Sequence, residues 1–166
     1  MEKRLYLVGG TMGVGKTTVC QILKRELRNS VFLDGDWCWD ADPFQVTEET
    51  QRMVLDNICH LLGNFLACSA YENVIFGWVM HQQAIIDTIL RNLDLRACRV
   101  FSLSLVCTRE ALERRLRGDI AQGLRTEDVV ARSVARLPLY NALTTIKIDT
   151  SALTPEQVAR RIASLS

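Results

Sequence analysis

The sequence has little net charge and no long apolar run. Its 166 residues include 20 Lys and Arg and 19 Asp and Glu, which gives a net charge of +1. This balance offers no electrostatic argument for a nucleic-acid or membrane partner. No apolar stretch is long enough to span a bilayer, and the amino terminus runs into an apolar strand without room for a signal peptide. We therefore expect one cytoplasmic domain over residues 1–166, working as a monomer or a homodimer.

Disulfide and zinc patterns are also missing. The six cysteines form no C-x-x-C pair, and the chain has only two histidines, so the spacing offers no zinc site. Several of the cysteines lie in apolar stretches, which is typical of reduced, buried thiols in cytoplasmic proteins. The chemistry of the chain is therefore expected to depend on other side chains.

One loop near the amino terminus has a pattern with a definite chemistry. Residues 10–17 read G-x-x-x-x-G-K-T, the pattern of the phosphate-binding loop (P-loop) of nucleoside triphosphate enzymes. Glycines allow consecutive backbone N–H groups to point at phosphate oxygens. Lys16 is expected to reach the β- and γ-phosphates of ATP, and the Thr17 hydroxyl to hold Mg²⁺. The predicted nucleotide-binding residues of this segment are Gly10, Thr11, Met12, Gly13, Val14, Gly15, Lys16, Thr17 and Thr18.

The segments that flank this loop support the assignment. Residues 5–8 are wholly apolar, as in a strand buried on both faces, and apolar residues recur at helical spacing from Val19 to Leu27. Phosphate binding benefits from a helix in this place, because its positive N-terminal end then points at the anion. A glycine-rich turn without a ligand is the alternative, and this context disfavours it.

Strand and helix patterns alternate along the rest of the chain. The predicted strands are 5–8, 31–33, 74–76, 100–106 and 145–149. The last strand alternates in polarity, as an edge strand does. Helix N-caps are predicted at Thr47, at Thr154 and at Thr126, the last for a helix reaching about Tyr140, and the glycine-containing segment 118–125 is expected to be a mobile loop. The alternation predicts an α/β fold, a P-loop three-layer α/β/α architecture with a five-stranded parallel sheet.

Residues that directly follow the strands are candidates for a site, because ligands bind at the carboxyl ends of parallel strands. Asp34 and Asp36 follow the second strand, beside the phosphate loop. One carboxylate there can hold Mg²⁺ and another can accept the proton of an attacking hydroxyl, so we assign Asp34 with Thr17 to the metal and Asp36 to the acceptor. Many P-loop proteins carry a further aspartate near the end of the third strand, but this chain has Gly77-Trp78. Either Asp34 serves alone or the metal site is weak.

Arginines are concentrated between residues 109 and 136, and arginine suits the clamping of phosphates. A solvated helix face explains part of this set, namely Arg109, Arg114 and Arg117.

Two arginines lie in motifs that resemble small P-loop kinases related to adenylate, shikimate and gluconate kinases. The segment 125–128, R-T-E-D, is similar to the lid arginine and acidic residues of adenylate kinases, and 136–140, R-L-x-x-Y, to a helical turn of the same enzymes. The resemblance implies that Arg125 and Arg136 contact the phosphates being transferred, within a lid region at 115–136.

Two further motifs extend the resemblance over most of the chain. Arg115-Leu116-x-Gly118 resembles the start of the family's lid, where an arginine stacks on adenine. The D-x-D at Asp34 and Asp36 is similar to that of shikimate kinases, which implies that Asp36 contacts the acceptor. The weak stretch is 37–73, the expected acceptor-binding region.

Residues 37–73 differ from the matching region of nucleoside monophosphate kinases, which carries several arginines. Arg52 is the only cation there, among several carboxylates, and such a region repels an anionic acceptor. Aromatic residues can supply flat apolar walls, although some of them are equally well explained as core. These aromatic residues are Trp37, Trp39, Phe44 and Trp78.

The sequence thus predicts a kinase that transfers the γ-phosphoryl group of Mg-ATP to the hydroxyl of a small molecule, neutral or cationic. The predicted catalytic residues are Lys16, Asp36, Arg125 and Arg136. A nucleoside monophosphate kinase that uses Arg52 is the alternative within enzymes, and a nucleotide-binding switch without transfer chemistry is the alternative outside them.

Overall fold

The computed structural model describes residues 2–165, which form one parallel sheet flanked by helices. The strands are β1 (Lys3–Gly9), β2 (Ser30–Asp34), β3 (Asn73–Gly77), β4 (Cys98–Val106) and β5 (Ile146–Asp149). Their order in the five-stranded sheet is β2-β3-β1-β4-β5, and every neighbouring pair is parallel. The predicted five-stranded parallel sheet is confirmed, with β5 at an edge as expected.

Helices cover both faces of this sheet. They are α1 (Lys16–Glu26), α2 (Glu48–Ala67), α3 (Gln83–Arg91), α4 (Arg109–Ala121), α5 (Asp128–Arg136) and α6 (Pro155–Ala163). Leu5 and Leu7 belong to one buried cluster with residues of α2 and α3, whereas Tyr6 and Val8 belong to another with residues of α1 and α6. Successive side chains of a strand point to opposite faces, so β1 contributes to both core layers. The predicted three-layer architecture is confirmed.

Two of the predicted helix starts are confirmed as capping boxes. The backbone N–H of Thr50 donates to the Thr47 hydroxyl at 3.1 Å, and the Thr47 N–H donates to the Thr50 hydroxyl at 2.8 Å. Thr154 and Gln157 form the same reciprocal pair at the start of α6, at 3.2 and 2.8 Å. Each box satisfies backbone N–H groups that the first turn of a helix leaves without an intrahelical partner.

The segment predicted as a loop at 118–125 is helical in its first half, and there the prediction is wrong. α4 continues to Ala121 and stops because of Gly123, whose φ is 74°. The N–H of Gly123 donates to the Ile120 carbonyl, and the next N–H reaches back to the Asp119 carbonyl, both at 2.9 Å. A left-handed glycine just past the last turn is a common way to end a helix.

The prediction of an N-cap at Thr126 is also wrong. The N-cap position of α5 is Glu127, and no side chain caps that helix. The Thr126 hydroxyl instead donates to the carboxylate of Asp128.

The same helix ends earlier than the apolar pattern predicts. It stops at Arg136, and residues 137–142 form a short 3-10 turn that contains Tyr140. Pro138 lies at the start of this turn and lacks the N–H that a continuing α-helix needs. Over residues 2–165, none of the helices combines the length and apolarity needed to cross a bilayer.

Candidate functional site

A large cavity opens at the carboxyl edge of the sheet. Its volume is about 1390 Å³, and residues from the phosphate loop, from the ends of β2 and β3, and from α4 and α5 line it. Two parts of its wall differ in chemistry. The basic half comprises Lys16, Arg115, Arg125, Arg132 and Arg136. The apolar half comprises Trp39, Phe44, Val46, Val54, Leu55 and Ile85.

The phosphate loop connects β1 to the N-terminus of α1. Gly15 occupies the N-cap position of α1 with φ 101°, a left-handed conformation that favours glycine. Gly13 has φ 86°, and a Cβ atom on it would lie 2.4 Å from the Leu116 side chain, so the loop packs directly on α4. The helix N-terminus therefore faces the cavity with no acidic residue in its first turn, as anion binding requires.

Two of the predicted loop residues do not line the cavity. Met12 to Thr18 line the cavity, whereas Gly10 and Thr11 do not. Thr11 is fully buried, and its hydroxyl donates to the Ser133 carbonyl at 2.8 Å, which ties the loop to α5.

Lys16 is the first residue of α1 and is half-buried. Its Nζ donates to the Thr11 carbonyl at 3.0 Å. Burial lowers the pKa of Lys16 to about 8, although the carboxylates of Asp36 and Asp34 counteract part of this shift. The neighbouring carboxylates thus offset only part of the cost of burying the ammonium group. A phosphate placed beside Lys16 would favour the charged form of this group further.

Thr17 and Asp34, the residues assigned to the metal from the sequence, are hydrogen-bonded to each other. The Thr17 hydroxyl donates to Asp34 Oδ2 at 3.1 Å, and the other carboxylate oxygen accepts the Asp36 N–H at 2.9 Å. Among residues 2–165 no three His, Cys, Asp or Glu side chains cluster as a metal cage. Mg²⁺ commonly uses one or two protein oxygens and completes its shell with phosphates and water, so this pair fits that ion.

Asp36 is oriented by the residue that replaces the expected aspartate after β3. The indole N–H of Trp78 donates to Asp36 Oδ1 at 3.1 Å. Gly35 makes this contact possible, because a Cβ atom there would lie 2.4 Å from Trp78 Cγ. Burial raises the pKa of the Asp36 carboxyl, and the neighbouring charge of Asp34 raises it further, while Lys16 acts in the opposite direction. Such a carboxylate is a better proton acceptor than one in water.

The predicted phosphate arginines Arg125 and Arg136 and the predicted adenine arginine Arg115 line the cavity, and two of them have protein partners. Arg125 Nε donates to Asp119 Oδ2 at 2.8 Å, and both side chains are partly exposed. The guanidinium of Arg115 donates to the hydroxyl and carbonyl of Thr150 at 2.9 and 2.6 Å, which fixes its plane at the end of β5. Outside the cavity, Arg109 pairs with an acid on its own helix, as a solvated helix face does.

Sequence reasoning missed several residues of the cavity wall. Asp119, Thr150 and His81 line it beside the predicted residues, and Arg132 adds a fourth arginine. Burial, assisted by the charge of Arg136, lowers the pKa of His81, and its Nδ1 is buried without a hydrogen-bond partner. Thr150 and His81 follow β5 and β3, so the strand-end rule could have found both.

The acceptor-region aromatics divide into two groups. Trp39 makes edge contacts with Phe44 at 4.9 Å and with Trp78 at 6.0 Å between ring centroids, and all three residues line the cavity. Trp37 contacts Phe32 outside the cavity and is 56% exposed. The structure therefore brings together three of the four predicted aromatic walls.

Arg52 also lies away from the cavity. Its side chain is 70% exposed and pairs with Glu48 at 3.4 Å on the surface of α2. Residues 37–73 therefore bring no lysine or arginine to the cavity wall.

Comparison with known proteins shows the family to which this chain belongs. The chain belongs to the AAA domain family, whose model matches residues 7–133. It has the fold of the small P-loop kinases, as the sequence motifs predict. No curated protein matches the sequence.

Three solved structures illustrate the likeness in fold. The tunicamycin resistance protein of Deinococcus radiodurans is 21% identical, with 98% of this chain and 95% of that chain covered and a TM-score of 0.75. A gluconokinase from Sinorhizobium meliloti is 17% identical over 96% and 91% of the chains, with a TM-score of 0.67. Shikimate kinase from Acinetobacter baumannii, solved with shikimate, is 22% identical over 99% and 93%, with a TM-score of 0.64.

Proposed function

We propose that this chain is an ATP-dependent phosphotransferase that moves the γ-phosphoryl group of Mg-ATP to a hydroxyl of a small molecule, neutral or cationic. The observation that carries the proposal is the position of Asp36. Its carboxylate lies within the electrostatic reach of Lys16 and Arg125 on the basic side and accepts a hydrogen bond from Trp78, whose ring contacts Trp39 of the apolar half.

In this proposal the basic half binds the triphosphate. Lys16, Arg125 and Arg136 neutralise charge on the transferred group, and the planar guanidinium of Arg115 stacks on the base. Thr17 and Asp34 hold Mg²⁺, which when bound supplies charge neutralisation at the phosphate oxygens. Arg125 is paired with Asp119 in the structure, so reaching the phosphate requires exchanging one anionic partner for another.

Asp36 is the proposed acceptor residue. Its hydrogen bond from Trp78 fixes the orientation of the carboxylate, and its raised pKa suits it to take the proton of the attacking hydroxyl. The hydroxyl oxygen then attacks the phosphorus directly, the bond to the ADP oxygen breaks, and no covalent enzyme intermediate forms. Residues 37–73 serve as the acceptor-binding region and 115–136 as the lid of this single domain.

The alternatives are less well supported by the same contacts. A nucleoside monophosphate kinase needs a cation for the acceptor phosphate, but Arg52 is exposed and paired with Glu48 outside the cavity. A nucleotide-binding switch without transfer chemistry does not explain why a carboxylate with a raised pKa and a hydrogen bond from Trp78 lies beside the phosphate loop.

A panel of acceptors followed by ADP production tests the proposal. Nucleosides, sugars, amino-sugars and other alcohols are compared with nucleoside monophosphates, shikimate and gluconate at equal concentration. We expect Mg²⁺-dependent ADP production with neutral or cationic acceptors, in excess of the rate with ATP alone. Efficient turnover of a nucleoside monophosphate only would support the alternative, and no acceptor-dependent turnover with any member would support the switch.

A further inference from the structure

We propose that the apolar half of the cavity binds an uncharged alcohol whose hydroxyl is attached to an apolar body, such as a hydrocarbon ring, and not a polyol or an anion. This inference rests on the proposed function, because it assumes that the hydroxyl enters at Asp36. It goes further in naming the chemistry of the rest of the acceptor.

The charges of the wall exclude an anionic body. The charged side chains that residues 35–73 bring to the wall are Asp36 and Asp40, both carboxylates, whereas its lysine and arginines come from α1, from α4 and α5, and from the connection between α4 and α5. Arg52, the only cation of the acceptor-binding region, pairs with Glu48 outside the cavity. An anion placed among Trp39 and Phe44 would therefore lose its water and meet carboxylates without a compensating cation.

Exposed apolar side chains indicate what would occupy this space. Phe44 and Val46 line the cavity and are 56% and 57% exposed. Large apolar groups on a protein surface commonly mark a binding site, because an apolar ligand removes both surfaces from water. Trp39 supports Phe44 through an edge contact at 4.9 Å, so this wall is already ordered for such a ligand.

The surroundings of Asp36 disfavour a polyol. The aromatic rings of Trp78 and Trp39 lie next to that carboxylate, and the indole N–H of Trp78 is already donated to it. Hydroxyl groups on the part of an acceptor that faces these rings would lose water without gaining a partner, and the polar side chains that the same segments bring to the wall, namely Asp40, Gln51, His81, Gln82 and Thr88, are outnumbered by apolar ones. Sites that recognise sugars instead provide a polar group for each hydroxyl, because an unpaired one is costly.

Two matched pairs of probes test this inference. Cyclohexylmethanol and glucose both carry a CH₂OH group on a six-membered ring, one apolar and the other polyhydroxylated. Benzyl alcohol and para-hydroxymethylbenzoate differ by one carboxylate. We expect kcat/KM to favour the apolar, uncharged member of each pair by about 10-fold or more, as differences in pocket contacts produce.

A matched pair of variants identifies the wall that makes the selection. Phe44 and Trp37 are equally exposed aromatics of one segment, each with one edge contact to another aromatic ring, but of the two only Phe44 lines the cavity. Phe44→Ser is expected to raise KM for cyclohexylmethanol about 10-fold and to leave KM for ATP unchanged. Trp37→Ser is expected to change neither value, and circular dichroism verifies that both variants are folded.

Binding without ATP separates this inference from the proposed function. Cyclohexylmethanol is titrated against the intrinsic tryptophan fluorescence of the protein and of Phe44→Ser. Binding that weakens in Phe44→Ser, without phosphoryl transfer, would support the inference and contradict the proposed function. Transfer that favours glucose or the benzoate, a Phe44→Ser variant like the unmodified protein, or no binding of either uncharged probe would overturn the inference.

Discussion

At the scale of single residues, the contact between Asp36 and Trp78 connects the end of β2 to the end of β3. It gives the carboxylate one defined orientation in a part of the cavity where burial raises its pKa. A group that takes a proton from a substrate must lie within hydrogen-bond reach of that proton. The proposed role of Asp36 therefore depends on the orientation of its carboxylate as well as on its charge.

Replacing the charge of Asp36 while keeping its size tests its proposed role. Asp36→Asn is expected to lower kcat by ~10²-fold or more, the usual effect of losing a general base, and to leave ATP affinity unchanged. Steady-state kinetics measure kcat, and calorimetry measures ATP binding. Asp56→Asn is the control, because that residue is exposed on α2 outside the cavity. Near-normal turnover of Asp36→Asn would show that Asp36 does not act on the acceptor.

A single methyl group at Gly35 tests the contact from the other side. Gly35→Ala places a Cβ atom 2.4 Å from Trp78 Cγ, so the indole must move and its bond to Asp36 is lost. We expect a fall in kcat and a lower midpoint in urea unfolding. The control is Gly63→Ala in α2, where no atom lies within 4 Å, and helix propensity predicts stabilisation of about 1 kcal/mol. Equal behaviour of the two variants would contradict the packing described for Trp78.

The predictability of these residues from the sequence depends on how local their interactions are. Residues 10–17 form a contiguous motif, so their loop could be predicted at once. Asp34 and Asp36 followed from the strand-end rule. The hydrogen bond between Asp36 and Trp78 joins residues 42 positions apart, and nothing in the sequence spacing indicates it. The pairing of Arg52 with Glu48 has the i,i+4 spacing of a local helix ion pair, but that spacing does not show whether this face of α2 is turned towards the cavity or away from it.

At the scale of elements, α4, α5 and the connection between them carry the arginines of the cavity wall. Local sequence signals predicted two helices in this region but placed the ends of those helices poorly. Both Gly118 and Gly123 are compatible with a helix end, and only the left-handed backbone at Gly123 shows which glycine ends α4. The short α5 follows from Pro138, whose effect the apolar periodicity concealed.

The arginine at this connection is expected to act on the transferred phosphate. Arg125→Ala should lower kcat by ~10²-fold or more with a smaller change in KM for ATP, as loss of preorganised charge stabilisation does. Arg109→Ala is the control, because Arg109 begins α4, the helix that precedes Arg125, and is exposed and paired with Glu113. If both variants kept the same kcat, Arg125 would be a surface residue whose ion pair with Asp119 has no catalytic part.

The capping box of α6 provides a stability test at the same scale. Thr154→Ala removes the hydroxyl that accepts the Gln157 N–H at 3.2 Å and is expected to cost about 1 kcal/mol of unfolding free energy. Urea unfolding measures the loss. Kinetic constants should change much less than stability, because Thr154 itself is not part of the cavity wall although its neighbours Leu153 and Pro155 are, and a large change in KM for ATP would contradict that placement.

At the scale of the whole molecule, the sheet order brings distant segments to one edge. β1 lies between β3 and β4, so the phosphate loop stands between Asp34 and Trp78 on one side and Thr150 on the other. The alternation of strands and helices was enough to predict this sheet, because parallel strands with crossover helices permit few arrangements. The division of the cavity into basic and apolar halves required the fold, since its walls come from segments far apart in sequence.

The fate of the γ-phosphoryl group tests the central claim most directly. ATP labelled at the γ-phosphate is mixed with Mg²⁺, protein and an accepted alcohol, and the products are separated. We predict that the label appears on the alcohol with unmodified protein and with Lys24→Ala, whose lysine lies on α1 outside the cavity, and that Lys16→Ala abolishes the transfer. Label released only as inorganic phosphate, or transfer unchanged in a folded Lys16→Ala protein, would contradict the account.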